Sequence, residues 1–256
     1  MNIELIKNNL IDKKYNLIYK ESVTSTNTVL REMANSESEF TVLISDHQTN
    51  GIGRKGNSFF SPDKTGIYMS ILLKPQLSLQ DFLLITPLSA VCTARAIEKI
   101  SQKEAKIKWV NDIYVDNKKV CGILAQSITD TENNITGCIL GIGINVCAPS
   151  GGFPEDIKNK AGYLFNKDEN KNLREMIIAE VLNNFSSLYK DLTKKLFYEE
   201  YVSRSLITNK TVNVIYPDRE IKCLVLGIDK DFLLDVKLEN GDNLKLDSGE
   251  VSLILE

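Results

Sequence analysis

Histidine is nearly missing from this sequence: of 256 residues, His47 alone is one. A Ser-His-Asp or Cys-His hydrolase moves its protons through an imidazole and would here depend wholly on that residue. It lies two residues past a strand-like run and reads as structural, or as a support behind a site. Cysteine is scarce as well. The five present, Cys92, Cys121, Cys138, Cys147 and Cys223, are odd in number, scattered in apolar surroundings and without a C-x-x-C pair. That excludes a disulfide framework and a zinc site, and they read as reduced core residues. Nowhere do 18 apolar residues run together, and Met1 to Asn16 alternates apolar residues with Lys, Asn and Asp, so neither a membrane span nor a signal peptide is expected and the chain reads as cytoplasmic. An excess of one charge is also lacking. The 31 basic and 34 acidic residues are interspersed for a net charge of −3, which leaves no electrostatic footprint for nucleic acid or anionic lipid.

What is there is an ordinary globular composition, 43% hydrophobic and 25% charged, enough for a sizeable core at the upper edge of one domain or the lower edge of two. A short helical start precedes Thr24-Ser25-Thr26-Asn27, which opens an amphipathic helix through Val29, Leu30, Met33 and Ala34 in the manner of an N-cap. Strands are expected at Thr41 to Ser45 and Gly66 to Leu73, with a glycine-rich basic loop between them. Leu83 to Ile100 reads as a buried helix with Pro87 near its first turn, followed by a strand at Ala105 to Trp109 and apolar runs at Val120 to Ala125 and Cys138 to Val146. Pro149 to Asn172 reads as loop, and Leu173 to Leu206 as one long helical segment. From Ile207 the texture changes to short alternating strands with turns at Pro217-Asp218 and Asn240-Gly241, so the expected division is residues 1–206 and a small all-β module, residues 207–256.

Two constellations carry chemistry. Gly51-Ile52-Gly53-Arg54-Lys55-Gly56 formally matches G-x-G-x-x-G, but Asn57-Ser58-Phe59-Phe60-Ser61-Pro62 leads into another strand rather than a helix, and no acidic residue follows at the required distance. A dinucleotide site is therefore rejected, and a P-loop is excluded because no Gly-Lys-Ser/Thr closes the segment. What remains is a flexible cationic loop between strands, suited to phosphate or acyl-phosphate, or else a solvated hairpin loop. The second is Lys108-Trp109-Val110-Asn111-Asp112 followed by Lys118-Lys119-Val120-Cys121-Gly122. It places anionic and cationic groups at one sheet edge, where they suit an ionised substrate or form a plain surface hairpin with Trp109 as core.

Taken together and in order, Ser25-Thr26-Asn27, Gln48 to Gly56 with Phe59 to Pro62, Lys108 to Asp112, Lys119 to Leu124 and Gly141-Ile142-Gly143-Ile144-Asn145 resemble the motifs of the biotin–protein ligase family, over nearly the whole chain from about Asn16. The resemblance implies an α+β fold: a central mixed β-sheet flanked by helices, the biotin/lipoate ligase catalytic fold, with a small C-terminal SH3-like β-barrel. It implies ATP-dependent formation of biotinyl-AMP and transfer of biotin to a lysine of a biotin carrier protein, such as the carrier domain of acetyl-CoA carboxylase. Ser25, Thr26, Asn27 and Gln48 would meet the ureido head of biotin, Gly51, Ile52, Gly53 and Arg54 would close over it, and Gly122 and Gly143 would wall it. Lys119, with Arg54, would be catalytic, contacting the biotin carboxylate and the α-phosphate. Arg54, Lys55, Phe59, Asn111, Asp112 and Asn145 would meet ATP or the adenylate, with Mg²⁺ held largely by phosphate oxygens near Asp112.

Ile52 and Asn57 stand where the family commonly has basic residues, Phe59 where Trp is frequent, Val110 where Pro is usual, and Gln126 where Glu is frequent. Two missing loop charges imply weaker retention of biotinyl-AMP. The Ser-Thr-Asn motif begins at residue 25, which leaves no room before it for a winged helix-turn-helix, so direct DNA binding is not expected. A homodimer through the edge of the central sheet stays open. The rival readings are a lipoate–protein ligase, which shares the fold and an equivalent lysine, and a non-catalytic biotin-binding module. The ureido-facing residues disfavour the first, and Arg54, Lys55 and Lys119 disfavour the second.

Overall fold

The computed structural model describes residues 1–75, 78–132, 134–167, 172–216 and 219–253, apart from the side chains of Glu250 and Leu253. The turn expected at Pro217-Asp218 lies outside the described residues. Seven strands, β1 (Asn16–Val23), β2 (Thr41–Gln48), β3 (Gly66–Leu73), β4 (Lys106–Lys108), β5 (Asp112–Val115), β6 (Lys118–Thr129) and β7 (Ile135–Asn145), form one sheet in the order β1-β2-β3-β7-β6-β5-β4. Only β1 and β2 run parallel, so the sheet is mixed, as expected. The helices are α1 (Ile3–Asn9), α2 (Thr26–Met33), α3 (Leu79–Leu83), α4 (Ile85–Ser101), α5 (Leu173–Tyr189) and α6 (Tyr198–Ser203). Five further strands, β8 (Thr211–Ile215), β9 (Glu220–Ile228), β10 (Leu234–Leu238), β11 (Asn243–Leu246) and β12 (Glu250–Leu253), make a second, wholly antiparallel sheet.

Strand side chains alternate between faces, and the ladder register sorts them. Ile67, Met69 and Ile71 of β3 share one face with Cys138, Leu140, Ile142 and Ile144 of β7. These join the large core that α4 and α5 cover with Leu88, Val91, Ile177, Val181 and Phe185, all wholly buried. Full burial of such a side chain stabilises by roughly 1.5–3 kcal/mol, so this face holds the fold together. On the other face Leu43, Leu72 and Ile139 pack only beneath Leu30 and Ala34 at α2. Beyond that small cluster the same face carries Ser70, Gly141, Gly143 and Gly122, and there the sheet stays open.

The C-terminal sheet joins the main core without a break: Val212, Val214, Phe232 and Val251 are buried in it. Trp109 Nε1 donates to the Phe232 carbonyl at 2.8 Å, and the Phe197, Tyr198 and Tyr201 rings surround Phe232 at 5.2 to 5.6 Å between centroids. The Trp109–Val110 peptide is cis.

Several expectations need correction. The long helical run from Leu173 to Leu206 is three pieces, α5, a 3₁₀ turn at Leu192–Lys194 and α6, because Lys195 adopts a left-handed φ of 52° that no continuous helix accommodates. The strand at Ala105 to Trp109 is only Lys106–Lys108. Three strands, β1, β5 and β12, were not expected from the sequence. β1 is an edge strand with mostly exposed or half-buried residues, so no apolar alternation announces it. Pro87 is the third residue of α4, where its missing N–H costs no helical bond, and Asn240-Gly241 turns β10 into β11 with Gly241 at φ 94°. All five cysteines are buried, and no described helix is long and apolar enough to cross a membrane.

Candidate active site

The open part of the sheet floors a cavity of about 140 Å³. Of the residues expected at a site, Ser25, Thr26, Asn27, Gln48, Ile52, Gly53, Arg54, Lys55, Phe59, Asn111, Asp112, Lys119, Gly122 and Gly143 line it. The segments that carry them, from Ser25 to Gly143, are distant in sequence and meet because β3, β7 and β6 are neighbours in the sheet. Gly51 and Asn145 are not in the lining. A Cβ at Gly51 would lie 2.4 Å from the Phe59 carbonyl oxygen, so this glycine lets the loop pack on itself, while Asn145 donates from Nδ2 to the Gly162 carbonyl. His47 pairs with Ser22 at 3.1 Å, away from the cavity.

One end is neutral and tightly hydrogen-bonded. The N-cap of α2 is Ser25, but its side chain makes no capping bond. Instead the first backbone N–H of the helix, that of Thr26, donates to Gln48 Oε1 at 2.8 Å, so a side chain from the end of β2 receives a helix-terminal donor. Gln48 Nε2 in turn donates to Ser61 Oγ at 2.8 Å, and Ser61 donates to the Phe59 carbonyl at 2.9 Å. Asn27 donates from Nδ2 to Gln126 Oε1 at 2.9 Å, and its Oδ1 lies 2.6 Å from Ser70 Oγ. Its amide occupies the space a side chain at Gly141 would need, since a Cβ there would sit 2.2 Å from Asn27 Oδ1. Gly143 leaves room for the Phe59 ring in the same way, 2.5 Å from a built Cβ, and the Phe59 ring also lies 3.3 Å from a Cβ built at Gly122. Phe59 thus packs against Gly143 and Gly122 of the glycine strip.

The other end is cationic. Lys119 Nζ lies 2.7 Å from Asp112 Oδ1, and Lys108 Nζ lies 3.8 Å from Asp112 Oδ2 while donating to the Val251 carbonyl at 3.0 Å. The 2.7 Å contact is an ion pair without hydrogen-bond alignment, since Oδ1 is buried with no aligned donor. Arg54 Nη1 donates to Asn111 Oδ1 at 3.0 Å, and Asn111 Nδ2 donates to the Ile123 carbonyl at 2.8 Å. Asn111 is therefore a strut between the glycine-rich loop and β6. That loop, expected to be flexible, is a small hairpin: Ile52 bridges Ser58, the Gly53 N–H donates to the Asn57 carbonyl at 2.7 Å, and a 3₁₀ turn spans Arg54–Gly56 with Lys55 at φ 53°. Burial and the nearby Asp112 charge push the Tyr114 hydroxyl beneath Lys108 up to about 12.

Lys119 reaches this end through a β-bulge. It stands three residues before Gly122, so in a regular strand its side chain would lie on the opposite face. The register of β5 and β6 slips between Ile113 and Tyr114, pairing Tyr114 with Lys119 and leaving Val120 unpaired, and the extra residue turns Lys119 back toward Asp112. Met69, Gly249 and Val251 also line the cavity and were not foreseen. The last two come from β12 and the turn before it, and no local pattern marks a distant strand as part of a site.

The arrangement, a neutral hydrogen-bonding pocket joined across glycines to a cluster of cations, agrees with what the chain resembles. The model of the Biotin/lipoate A/B protein ligase family matches residues 19–145. The bifunctional ligase/repressor BirA of Bacillus spizizenii is 32% identical, covering 93% of this chain and 74% of its own. The biotin–[acetyl-CoA-carboxylase] ligase of Mycobacterium tuberculosis is 23% identical over 86% of this chain and 80% of its own. Among solved structures, the biotin protein ligase from Aquifex aeolicus in complex with biotin and ATP superposes with a TM-score of 0.77 at 30% identity, covering 94% of this chain and 99% of that one. By motif order, fold and this likeness over nearly its whole length, the chain belongs to the biotin–protein ligases of the biotin/lipoate A/B protein ligase family.

Proposed function

We propose that this cleft binds biotin at its neutral end and ATP at its cationic end, joins them as biotinyl-AMP, and passes the biotinyl group to a lysine of a biotin carrier protein. The observation that carries the reading is the meeting of the two ends over one strip of small residues, Gly122, Gly141 and Gly143, in a single cavity. A ureido ring offers N–H donors and a carbonyl acceptor, and Ser25, Thr26 and Gln48 offer complementary neutral groups. The dithiolane of lipoate has none of these to satisfy, so the neutral end gives it no advantage.

In the first step a biotin carboxylate oxygen attacks the α-phosphorus of ATP, and the bond to pyrophosphate breaks. Lys119, on the floor of the cleft, is placed to neutralise the two anions as they approach and the charge that develops on the phosphoryl oxygens. Arg54, braced by Asn111, would hold the polyphosphate. In the second step the ε-amine of the carrier lysine attacks the mixed-anhydride carbonyl, a proton leaves the nitrogen, and AMP departs. The hairpin from Ile52 to Ser58 would shield the anhydride from water in between.

Mg²⁺ fits as an ion that travels with ATP. Among the described residues no three acidic, histidine or cysteine side chains gather to hold a metal, and Asp112 is the one carboxylate among those lining the cavity. Asp112 would therefore supply at most one protein ligand, the phosphates the others, and the ion would offset phosphate charge. The reaction would take place in the cytoplasm.

The test is ATP–pyrophosphate exchange by the purified protein with Mg²⁺ and either biotin, lipoate or no acid. Exchange that depends on biotin is expected; exchange with lipoate alone would assign the cleft to lipoate, and none with either acid would leave a binding module.

A further inference from the structure

Ser70 sits in the middle of β3, wholly buried, beneath the residues assigned to the biotin ring rather than in the cavity lining. Its hydroxyl oxygen lies 2.6 Å from Asn27 Oδ1 and 2.7 Å from Thr26 Oγ1, yet it has one proton for two short contacts. Groups that can play only one part decide where that proton goes. The Thr26 N–H can only donate, so Gln48 presents Oε1 to it and Nε2 to Ser61. The Leu124 carbonyl can only accept, and at 3.5 Å it faces Asn27 Nδ2, which also donates to Gln126, so Asn27 turns Oδ1 toward Ser70. An amide oxygen cannot donate, so the Ser70 proton goes to Asn27. The 2.7 Å contact must then be served by the Thr26 proton, leaving only the longer 3.2 Å approach of Thr26 Oγ1 to Gln48 Oε1 without one. In this assignment every contact of 2.9 Å or less in the network carries one proton.

We propose that Ser70 is a positioning residue for the ring-binding end: it anchors Asn27 with its own proton and takes the proton of Thr26, so that Thr26 meets the ligand as an acceptor for a ring N–H. The proposal rests on the assignment of Thr26 and its neighbours to the ureido ring. Without the Ser70 hydroxyl, Asn27 Oδ1 is left buried and unpaired and its amide is free to swivel, and the Thr26 proton is released to face Gln48 or the ligand.

The experiment is a mutant cycle on Michaelis constants in biotin-dependent ATP–pyrophosphate exchange. Ser70→Ala is expected to raise the KM for biotin about tenfold, with kcat and the KM for ATP within about twofold of the parent. The same substitution in a Thr26→Ser background should keep its full effect, whereas in a Thr26→Val background it should shrink to about threefold, the part that acts through Asn27. Equal penalties in both backgrounds, or a KM for ATP that rises with that for biotin, would make Ser70 an ordinary core hydroxyl and overturn the proposal. If Thr26→Val alone leaves the KM for biotin unchanged, the ring is held elsewhere and the underlying assignment fails. Thermal unfolding of each variant separates these outcomes from loss of fold.

Discussion

At the neutral end of the cleft, Thr26 and Asn27 are buried and hydrogen-bonded to Gln48, Ser70 and Gln126, so nearly every donor already has a protein partner. At the cationic end, Lys108 and Lys119 share the single carboxylate of Asp112, Arg54 donates to Asn111, and the Lys119 side chain remains 35% exposed. The neutral end is held together by the protein's own hydrogen bonds, and a change there leaves a buried polar group unpaired. The cationic end holds positive charge in excess of its single carboxylate, which suits a polyanion that brings its own charge and leaves again as pyrophosphate or AMP. Under the proposed function, recognition of a neutral ring would rest on hydrogen bonds the protein already makes, and recognition of phosphate on uncompensated charge.

Substitutions at the two ends should therefore separate binding from chemistry. The largest effect is expected for Lys119→Ala, which should slow biotin-dependent ATP–pyrophosphate exchange by about 10²–10³-fold, read mainly in kcat. A loss below tenfold would move the main charge stabilisation to Arg54. Gly141→Ala acts at the opposite end: its methyl would meet Asn27 Oδ1 at 2.2 Å, so Asn27 must move, and calorimetry should find biotin binding weakened by more than about tenfold while ATP binding is retained. Should both ligands weaken together, the two ends are not independent.

A smaller effect is expected for Asn111→Ala, which removes the strut under Arg54 and should raise the KM for ATP by about three- to tenfold, the net worth of one ordinary hydrogen bond. The least is expected at the hairpin tip, where Ile52 is 36% exposed on the rim of the cavity. Adding a charge with Ile52→Arg should slow dissociation of biotinyl-AMP by about threefold, measured by the decay of the preformed complex on dilution. An unchanged rate would mean that the hairpin's hydrogen bonds, rather than its missing charges, govern retention.

Much of this was legible in advance. Strand β3 matches the apolar run Gly66 to Leu73 to the residue, and the site-facing residues lie in the segments whose types are chemically unusual: polar residues at a helix start, glycines in apolar strands, and Lys, Asn and Asp beside Trp109. The break at Lys195 was not legible, because helical spacing continues in the side chains while the backbone turns. Ser70, Gly249 and Val251 were missed as parts of the site or its support, and Gln126 was marked only as a departure from the family pattern. Each is an ordinary strand or turn residue whose importance comes from its neighbour across a ladder or from a distant sheet.

By itself the sequence determined most of the strands and helices, the order of the motifs and most of the side chains that line the cavity, because periodicity and residue chemistry are local properties. Only the tertiary structure decided which way those side chains face. Regular alternation would turn Lys119 away from Gly122, and the slipped register between β5 and β6 returns it to Asp112. Register is set by how strands pair across the sheet, and pairing between segments distant in sequence leaves no local mark on either.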